Sequence, residues 1–142
     1  MAIQDVIERM ADKIEAISGI KGASDYLPEQ LAEVENWVVL HPGNARFIGG
    51  EPAGYMTTIY DVVIELHTPR NTLPMAIKRV IGYFDDIPNA LYDDLFDGYM
   101  NGTVSTIGEI TSTGLVAMNY AGIDTVGFRY IVTGIKLQTV IT

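Results

Sequence analysis

The segment TTIYDVVIELH (residues 57–67) carries the clearest structural signal in the chain. Its side chains alternate between two faces, and this period of two is typical of a strand with one buried side. One face holds Thr58, Tyr60, Val62, Ile64 and Leu66, and the other holds Ile59, Asp61, Val63, Glu65 and His67. We therefore predict a half-buried antiparallel strand at residues 57–67.

Upstream of this strand, a short apolar run is followed by a long segment rich in glycine and proline. The run WVVL (residues 37–40) predicts a buried strand. The following segment, 41–56, contains Pro42, Gly43, Gly49, Gly50, Pro52 and Gly54. Loops beyond about 12 to 15 residues are uncommon in compact domains. We predict that residues 41–56 form an extended loop or a long hairpin arm.

Two helices are predicted downstream, after a turn at TPRN (residues 68–71). Thr72 is a suitable N-cap for the first helix, and Pro74 fits its first turn. The inner stripe of this helix comprises Leu73, Ile77, Val80, Ile81 and Phe84. Pro88 begins the next helix, which ends at Gly98 and carries Ala90, Leu91, Leu95 and Phe96.

The two ends of the sequence complete the pattern of elements. An amphipathic helix with a stop at Gly19 is predicted from the spacing of Ile3, Val6, Ile7, Met10, Ile14 and Ile17. Only a short helical turn at Pro28 is predicted between residues 20 and 36. The last third of the chain predicts strands at 103–110, 115–118 and 125–140.

Helices and strands are grouped rather than alternating, which favours the α+β class. We expect a mostly antiparallel sheet, flanked by the N-terminal amphipathic helix and a central helical pair. The length of 142 residues fits a single domain, 1–142.

Composition and charge exclude several classes of protein. The formal net charge is −9, which argues against a duplex DNA binder, because such proteins need a basic stripe along the phosphates. The chain contains no cysteine, so disulfide frameworks, thiolate zinc sites and thiol nucleophiles are excluded. We predict no membrane span, because no apolar stretch is long enough to cross a bilayer. We also predict no secretory signal, because acidic residues lie where the apolar part of such a signal would be.

The balance of apolar and charged residues favours an oligomer. Hydrophobic residues make up 48% of the chain but charged residues only 19%, below the ~25% usual for soluble domains. Eight tyrosines and six methionines are present, and both types are enriched at protein interfaces. The alternative is a monomer whose surface is rich in threonine and glycine.

The sequence contains no recognisable catalytic constellation, and we predict no enzyme activity, metal or cofactor. His41 and His67 lack the spacing of metal ligands, so we interpret both as surface histidines. A carboxylate cluster near the third helix is interpreted as a solvated acidic face rather than a cation site. Its members are Asp85, Asp86, Asp93, Asp94 and Asp97.

The order of these elements resembles the tail terminator proteins (tail completion or neck proteins) of long-tailed bacteriophages. The resemblance rests on an amphipathic first helix ending in ISGI, then a strand, a long glycine- and proline-rich segment and a second strand. It continues through RVIGYFDDIPNALYDDLF (residues 79–96) and YAGIDTVGFRYIVTGIKL (residues 120–137). It covers nearly the whole chain, and its motifs are patterns of small and apolar residues.

This resemblance implies a structural virion protein that forms a ring, usually of six copies, at the head-proximal end of the tail. Such a ring stops growth of the tube and provides the surface to which the filled head joins. The implied partners are other copies of the chain, the tail tube protein and head-closure or connector proteins. We expect Arg46, Phe47 and Tyr55 of the segment 41–56 to contact an adjacent ring.

The implied location is the tail or neck of the virion, after synthesis in the host cytoplasm. Since acidic walls repel phosphate, we expect DNA to pass through the ring without specific binding. Two alternatives remain open at this point. One is another neck, connector or tube-forming virion protein, and the other is a small ligand-binding or enzymatic domain that uses the acidic helix or the histidines.

Overall fold

Three helices and five strands form the part of the chain that the computed structural model describes. This part comprises residues 3–25, 36–49, 55–70, 73–92, 94, 108–120 and 123–140, without the side chains of residues 55, 73, 120, 123 and 138–140. In chain order the elements are α1 (Ile3–Glu15), β1 (Gly22–Ser24), β2 (Trp37–Gly49), β3 (Tyr55–Pro69), α2 (Leu73–Gly82), α3 (Asp86–Tyr92), β4 (Ile110–Tyr120) and β5 (Ile123–Val140).

The strands form one mixed sheet in the order β1-β2-β3-β5-β4. The pairs β2–β3, β3–β5 and β4–β5 are antiparallel, and only the short β1 runs parallel to its neighbour β2. The prediction of an α+β chain with a mostly antiparallel sheet is therefore confirmed. β1 was not predicted, because three residues are too few to show a period.

One core joins all three helices to one face of the sheet. On β3 this face contains Val62, Ile64 and Leu66, each with 0% exposure, as the alternation predicted. The helices contribute Val6, Ile7, Met10, Ile14, Val80, Ile87 and Leu91. Close packing of this kind is the main favourable contribution to folding.

The first helix agrees with its predicted stripe but ends earlier than predicted. α1 buries Val6, Ile7, Met10, Ala11 and Ile14 and ends at Glu15. Gly19 follows in the left-handed region with φ 93°, and a Cβ there would lie 1.9 Å from the Tyr83 hydroxyl oxygen. Glycine is therefore favoured by the backbone conformation, and a larger residue would also displace the Tyr83 hydroxyl.

The predicted inner stripe of α2 is wrong at Ile81, and the helix ends at Gly82, before the predicted Phe84; the side chain of Leu73 lies outside the described residues. Val80 is fully buried, but Ile81 is 56% exposed. Ala76, four residues before Val80, is also buried, so the buried stripe follows Ala76 and Val80 and leaves the next residue on the flank. Phe84 is partly buried behind α2, and its ring centroid lies 4.5 Å from that of Phe128.

The segment 41–56 is not an extended loop in its described residues, because 41–49 and 55–56 are strand. The alternative prediction, a long hairpin arm, is the one that the structure confirms. β2 and β3 pair from Trp37↔His67 to Gly49↔Met56, with one register shift between Pro42 and Ala45. The distal half of this hairpin also pairs with β5, as far as Tyr55↔Val140.

The C-terminal strands differ in extent from the prediction. The predicted strand 115–118 belongs to a longer β4, which has a register shift between Ser112 and Leu115 beside Gly114 at φ 94°. β5 begins at Ile123, two residues before the predicted start. The predicted strand residues 103–107, the helical turn at Pro28, and Leu95, Phe96 and Gly98 of the third helix lie outside the described residues.

None of the helices in the described ranges is long and apolar enough to cross a membrane.

Candidate functional site

The hairpin arm, defined here as residues 42–49 of β2 with the paired part of β3, contains the residues predicted to contact another ring. Its β2 strand is exposed, whereas Thr57 and Thr58 of its β3 strand are buried. Every residue from 42 to 49 is exposed. Phe47 is 63% exposed and Ile48 is 43% exposed, although both are large apolar side chains. Arg46 and Tyr55 lie on the same distal part of the arm, in β2 and β3 respectively.

Pairing across the arm determines which side chains share a face. Arg46 pairs with Ile59 and Phe47 pairs with Thr58, so these two neighbouring side chains project from opposite faces. The Phe47 ring meets Tyr60 edge-on, with centroids 6.0 Å apart. On the other face, Arg46 borders a shallow depression of about 250 Å³ that also includes Ile59 and Asp61. The arm therefore offers an apolar side chain on one face and a cation on the other.

The predicted acidic face is only partly a solvated surface. Asp85 and Asp86 are exposed, at the turn before α3 and at its first residue. Asp94 instead accepts hydrogen bonds from Arg9 of α1, from Nε at 2.6 Å and from a terminal nitrogen at 2.5 Å. This ion pair ties the end of the helical pair to α1. Asp93 and Asp97 lie outside the described residues.

The two exposed aspartates influence a buried tyrosine. Burial raises the pKa of Tyr130, and the negative charges of Asp85 and Asp86 add to this effect. The Tyr130 hydroxyl donates a hydrogen bond of 2.7 Å to the carbonyl oxygen of Phe84. Tyr130 is therefore a neutral hydrogen-bond donor that fixes the segment between α2 and α3 against the sheet.

A polar cluster on the sheet face opposite the helices was not predicted. Glu65 lies in the middle of β3, is 6% exposed and pairs across the sheet with Val39 and Arg129. Arg129 donates to Glu65 Oε2 from Nε at 2.8 Å, and its terminal nitrogen lies 2.7 Å from the same oxygen. The Nε2 atoms of His41 and His67 each lie 3.7 Å from the other carboxylate oxygen. Glu65 thus has three cationic or ionisable neighbours.

This environment keeps Glu65 ionised. Interaction with the His67 ring lowers the pKa of Glu65, and the hydrogen bonds and positive charge of Arg129 lower it further. Burial acts in the opposite direction, and the resulting pKa is about 2, compared with an ordinary value of 4.5. A carboxylate of such low pKa is a poor general base near neutral pH. The ionised Glu65 joins β3 to β5 through its contacts with Arg129.

The interpretation of both histidines as surface residues is right for His41 and wrong for His67. The side chain of His41 is 45% exposed, whereas that of His67 is 1% exposed. His67 Nδ1 lies 2.7 Å from Thr125 Oγ1, which is itself buried. His67 lies between two neighbouring strands, opposite Trp37 of β2 and in hydrogen-bond contact with Thr125 of β5, although the alternation marks its face as polar.

One signal in the sequence could have indicated the cluster. Glu65 interrupts the apolar stretch 62–66 of β3, and Arg129 interrupts the apolar stretch 126–132 of β5. Opposite charges at the centres of two apolar strands are costly to bury unless they are paired. Within the described ranges, no group of three His, Asp or Glu side chains is arranged to hold a metal ion.

No protein-family model matches the sequence, and no curated protein matches it.

Proposed function

We propose that this chain is a structural virion protein of the tail-terminator type, which forms a ring at the head-proximal end of a bacteriophage tail. In this role the ring stops tube growth and provides the surface for head joining. The order of elements supports the proposal, since an amphipathic helix, a long hairpin, a helical pair and long C-terminal strands follow one another as in the family that the sequence resembles.

The observation that carries the proposal is the exposed β2 strand of the hairpin arm. All of residues 42–49 are exposed, although Thr58 of β3 and Leu137 of β5 beside them are buried. Phe47 and Ile48 are large apolar side chains near the end of this exposed strand. Fully burying a side chain of this size contributes about 1.5–3 kcal/mol, so exposed apolar groups on an ordered arm favour a protein partner. We expect Arg46, Phe47 and Tyr55 to contact an adjacent ring of the tail or neck.

The charge of the chain supports passage of DNA through the ring. A net charge of −9 per copy accumulates as copies assemble, and acidic walls repel the phosphate backbone. In this role the carboxylates of the chain act by repelling DNA and need not bind a metal ion or another ligand. A lumen that proves neutral or basic in an assembled ring would contradict this part of the proposal.

The first test is the mass of the assembled protein. Light scattering after size-exclusion chromatography should give a closed assembly, and six copies of the 15.6 kDa chain would have a mass of about 94 kDa. A monomer at all concentrations would contradict the proposal. Growth into filaments would favour a tube-forming subunit instead.

The second test is functional and uses a matched pair of variants. Phe47→Asp should abolish joining of heads to tails while the subunits still form rings. Met75→Asp, which changes an exposed side chain on α2, should leave joining intact. Normal infectious particles from Phe47→Asp would refute the role of the arm.

A further inference from the structure

The last strand of the sheet order, β4, presents an open edge. It pairs with β5 on one side, and no described strand lies on its other side. Its eleven residues, ITSTGLVAMNY, include no charged side chain and no proline. Edge strands of soluble proteins commonly carry charges or prolines that prevent pairing with another chain. The edge of β4 lacks both of these protections.

The outer edge of the hairpin arm is the second open edge. β1 covers β2 only at residues 37–39, and no strand among the described residues lies beyond 40–49 on that side. The register of β2 is regular over 45–49, as that of β4 is over 115–120. Both open edges are therefore regular stretches of similar length.

Strand direction fits a cyclic assembly. Three antiparallel steps separate β2 from β4 in the sheet, so the two strands run antiparallel to each other within one copy. Rotation about an axis along the strands preserves their direction. β4 of one copy and β2 of the next would then meet antiparallel, and each copy would offer both edges to its two neighbours.

We propose that β4 of one copy pairs through its main chain with the outer edge of the hairpin arm of a second copy, which joins the sheets of neighbouring subunits. This inference rests on the proposed ring and names the surfaces that close it. The contact uses N–H and C=O groups in the plane of the sheet. Arg46 and Phe47 project from the two faces of the arm, so both stay available for an adjacent ring.

Both edges lack carboxylates and carry exposed apolar side chains, so two copies can approach each other there. Copies with a net charge of −9 repel one another, and these edges contain none of the carboxylates. The arm carries only Arg46 and His41 as ionisable groups between 41 and 49, whereas β4 lies between Glu109 and Asp124. Leu115 is 44% exposed on β4, so this edge carries an apolar side chain that a neighbouring copy would cover.

Cysteine cross-linking tests the pairing cleanly, because the chain has no cysteine of its own. Ala45→Cys on the arm and Ala117→Cys on β4 both change exposed side chains within the regular stretches. A short bismaleimide, which tolerates an offset of a residue or two, is added to the full-length protein carrying both changes. The matched control combines Ala117→Cys with Asn89→Cys, an exposed position on α3.

The expected result is a ladder of covalent oligomers ending at the closed ring for the Ala45/Ala117 pair. The control pair and each single variant should remain uncross-linked. A covalent dimer from Ala117→Cys alone would show that β4 pairs with β4, and would overturn the inference. A ring seen by light scattering without a ladder would also overturn it, while leaving the proposed function intact.

Two further outcomes separate the inference from the function on which it rests. A ladder that extends into filaments would support the pairing but contradict a terminator. A monomer at all concentrations would contradict both.

Discussion

Replacement of Glu65 by glutamine should change how the stability of the protein depends on pH. The folded state keeps this carboxyl ionised down to a pKa of about 2, whereas the unfolded chain protonates it near 4.5. A depressed pKa stabilises the folded state above the unfolded value, and this contribution is lost as the pH falls through the folded value. The relevant window is therefore pH 4.5 to 2.

The magnitude follows from the size of the shift. One pKa unit corresponds to 1.36 kcal/mol, so the ionised carboxylate contributes roughly 3 kcal/mol at pH 7. The same relation leaves roughly 1.4 kcal/mol at pH 3. Glu65→Gln also leaves Arg129 without its carboxylate, which adds a cost that does not depend on this titration. The test is therefore how the difference in the free energy of unfolding between wild type and Glu65→Gln changes with pH. The size of that difference at any single pH is not diagnostic.

Urea denaturation, monitored by fluorescence of the single tryptophan, measures this difference at pH 7, 5, 4 and 3. Trp37 is a suitable probe because it lies opposite His67 in the register of β2 and β3. Glu109→Gln, at an exposed glutamate, is the matched control and should show no such trend. A difference between wild type and Glu65→Gln that stays constant from pH 7 to pH 3 would refute the reasoning.

Three other substitutions test separate parts of the structure. Phe47→Asp should leave the free energy of unfolding of the subunit within about 0.5 kcal/mol of wild type, because the Phe47 side chain is 63% exposed. A larger loss of stability in thermal denaturation would mean that Phe47 contributes to the core. Gly19→Ala should cost about 1–3 kcal/mol, since φ is positive at this position, whereas Gly49→Ala has open space and should cost far less. Equal melting temperatures for the two variants would contradict the conformational account. Tyr130→Phe should cost about 0.5–1.5 kcal/mol through loss of one hydrogen bond, and an unchanged urea midpoint would show that this bond contributes nothing.

Local periodicity was sufficient to predict the elements that have one buried face. The alternation in residues 57–67 predicted which side of β3 meets the helices, and Val62, Ile64 and Leu66 lie there fully buried. The stripe of α1 was predicted for the same reason, because a helix that packs on a single surface shows its burial in the spacing of its residues.

Features that depend on distant parts of the chain could not be predicted in this way. His67 is buried beside Trp37 of β2 and Thr125 of β5, and which strands become neighbours is not encoded in the period of a single strand. The pairing of Glu65 with Arg129 joins residues 64 positions apart. The segment 41–56 has the composition of a loop, but pairing with β3 and the register shift near Pro42 accommodate Pro42, Gly43 and Gly49 within a strand.

The position of β5 in the sheet has a consequence for synthesis of the protein. β5 lies between β3 and β4, yet it is the last of the described elements to leave the ribosome. At about 5–20 residues per second, translation from the end of β3 to the end of β5 takes roughly 4 to 14 s. Throughout that interval the edge of β3 that β5 will occupy has no partner within the nascent chain. An unpaired strand edge is prone to aggregation, so we expect the yield of folded protein to be sensitive to the rate at which β5 is synthesised.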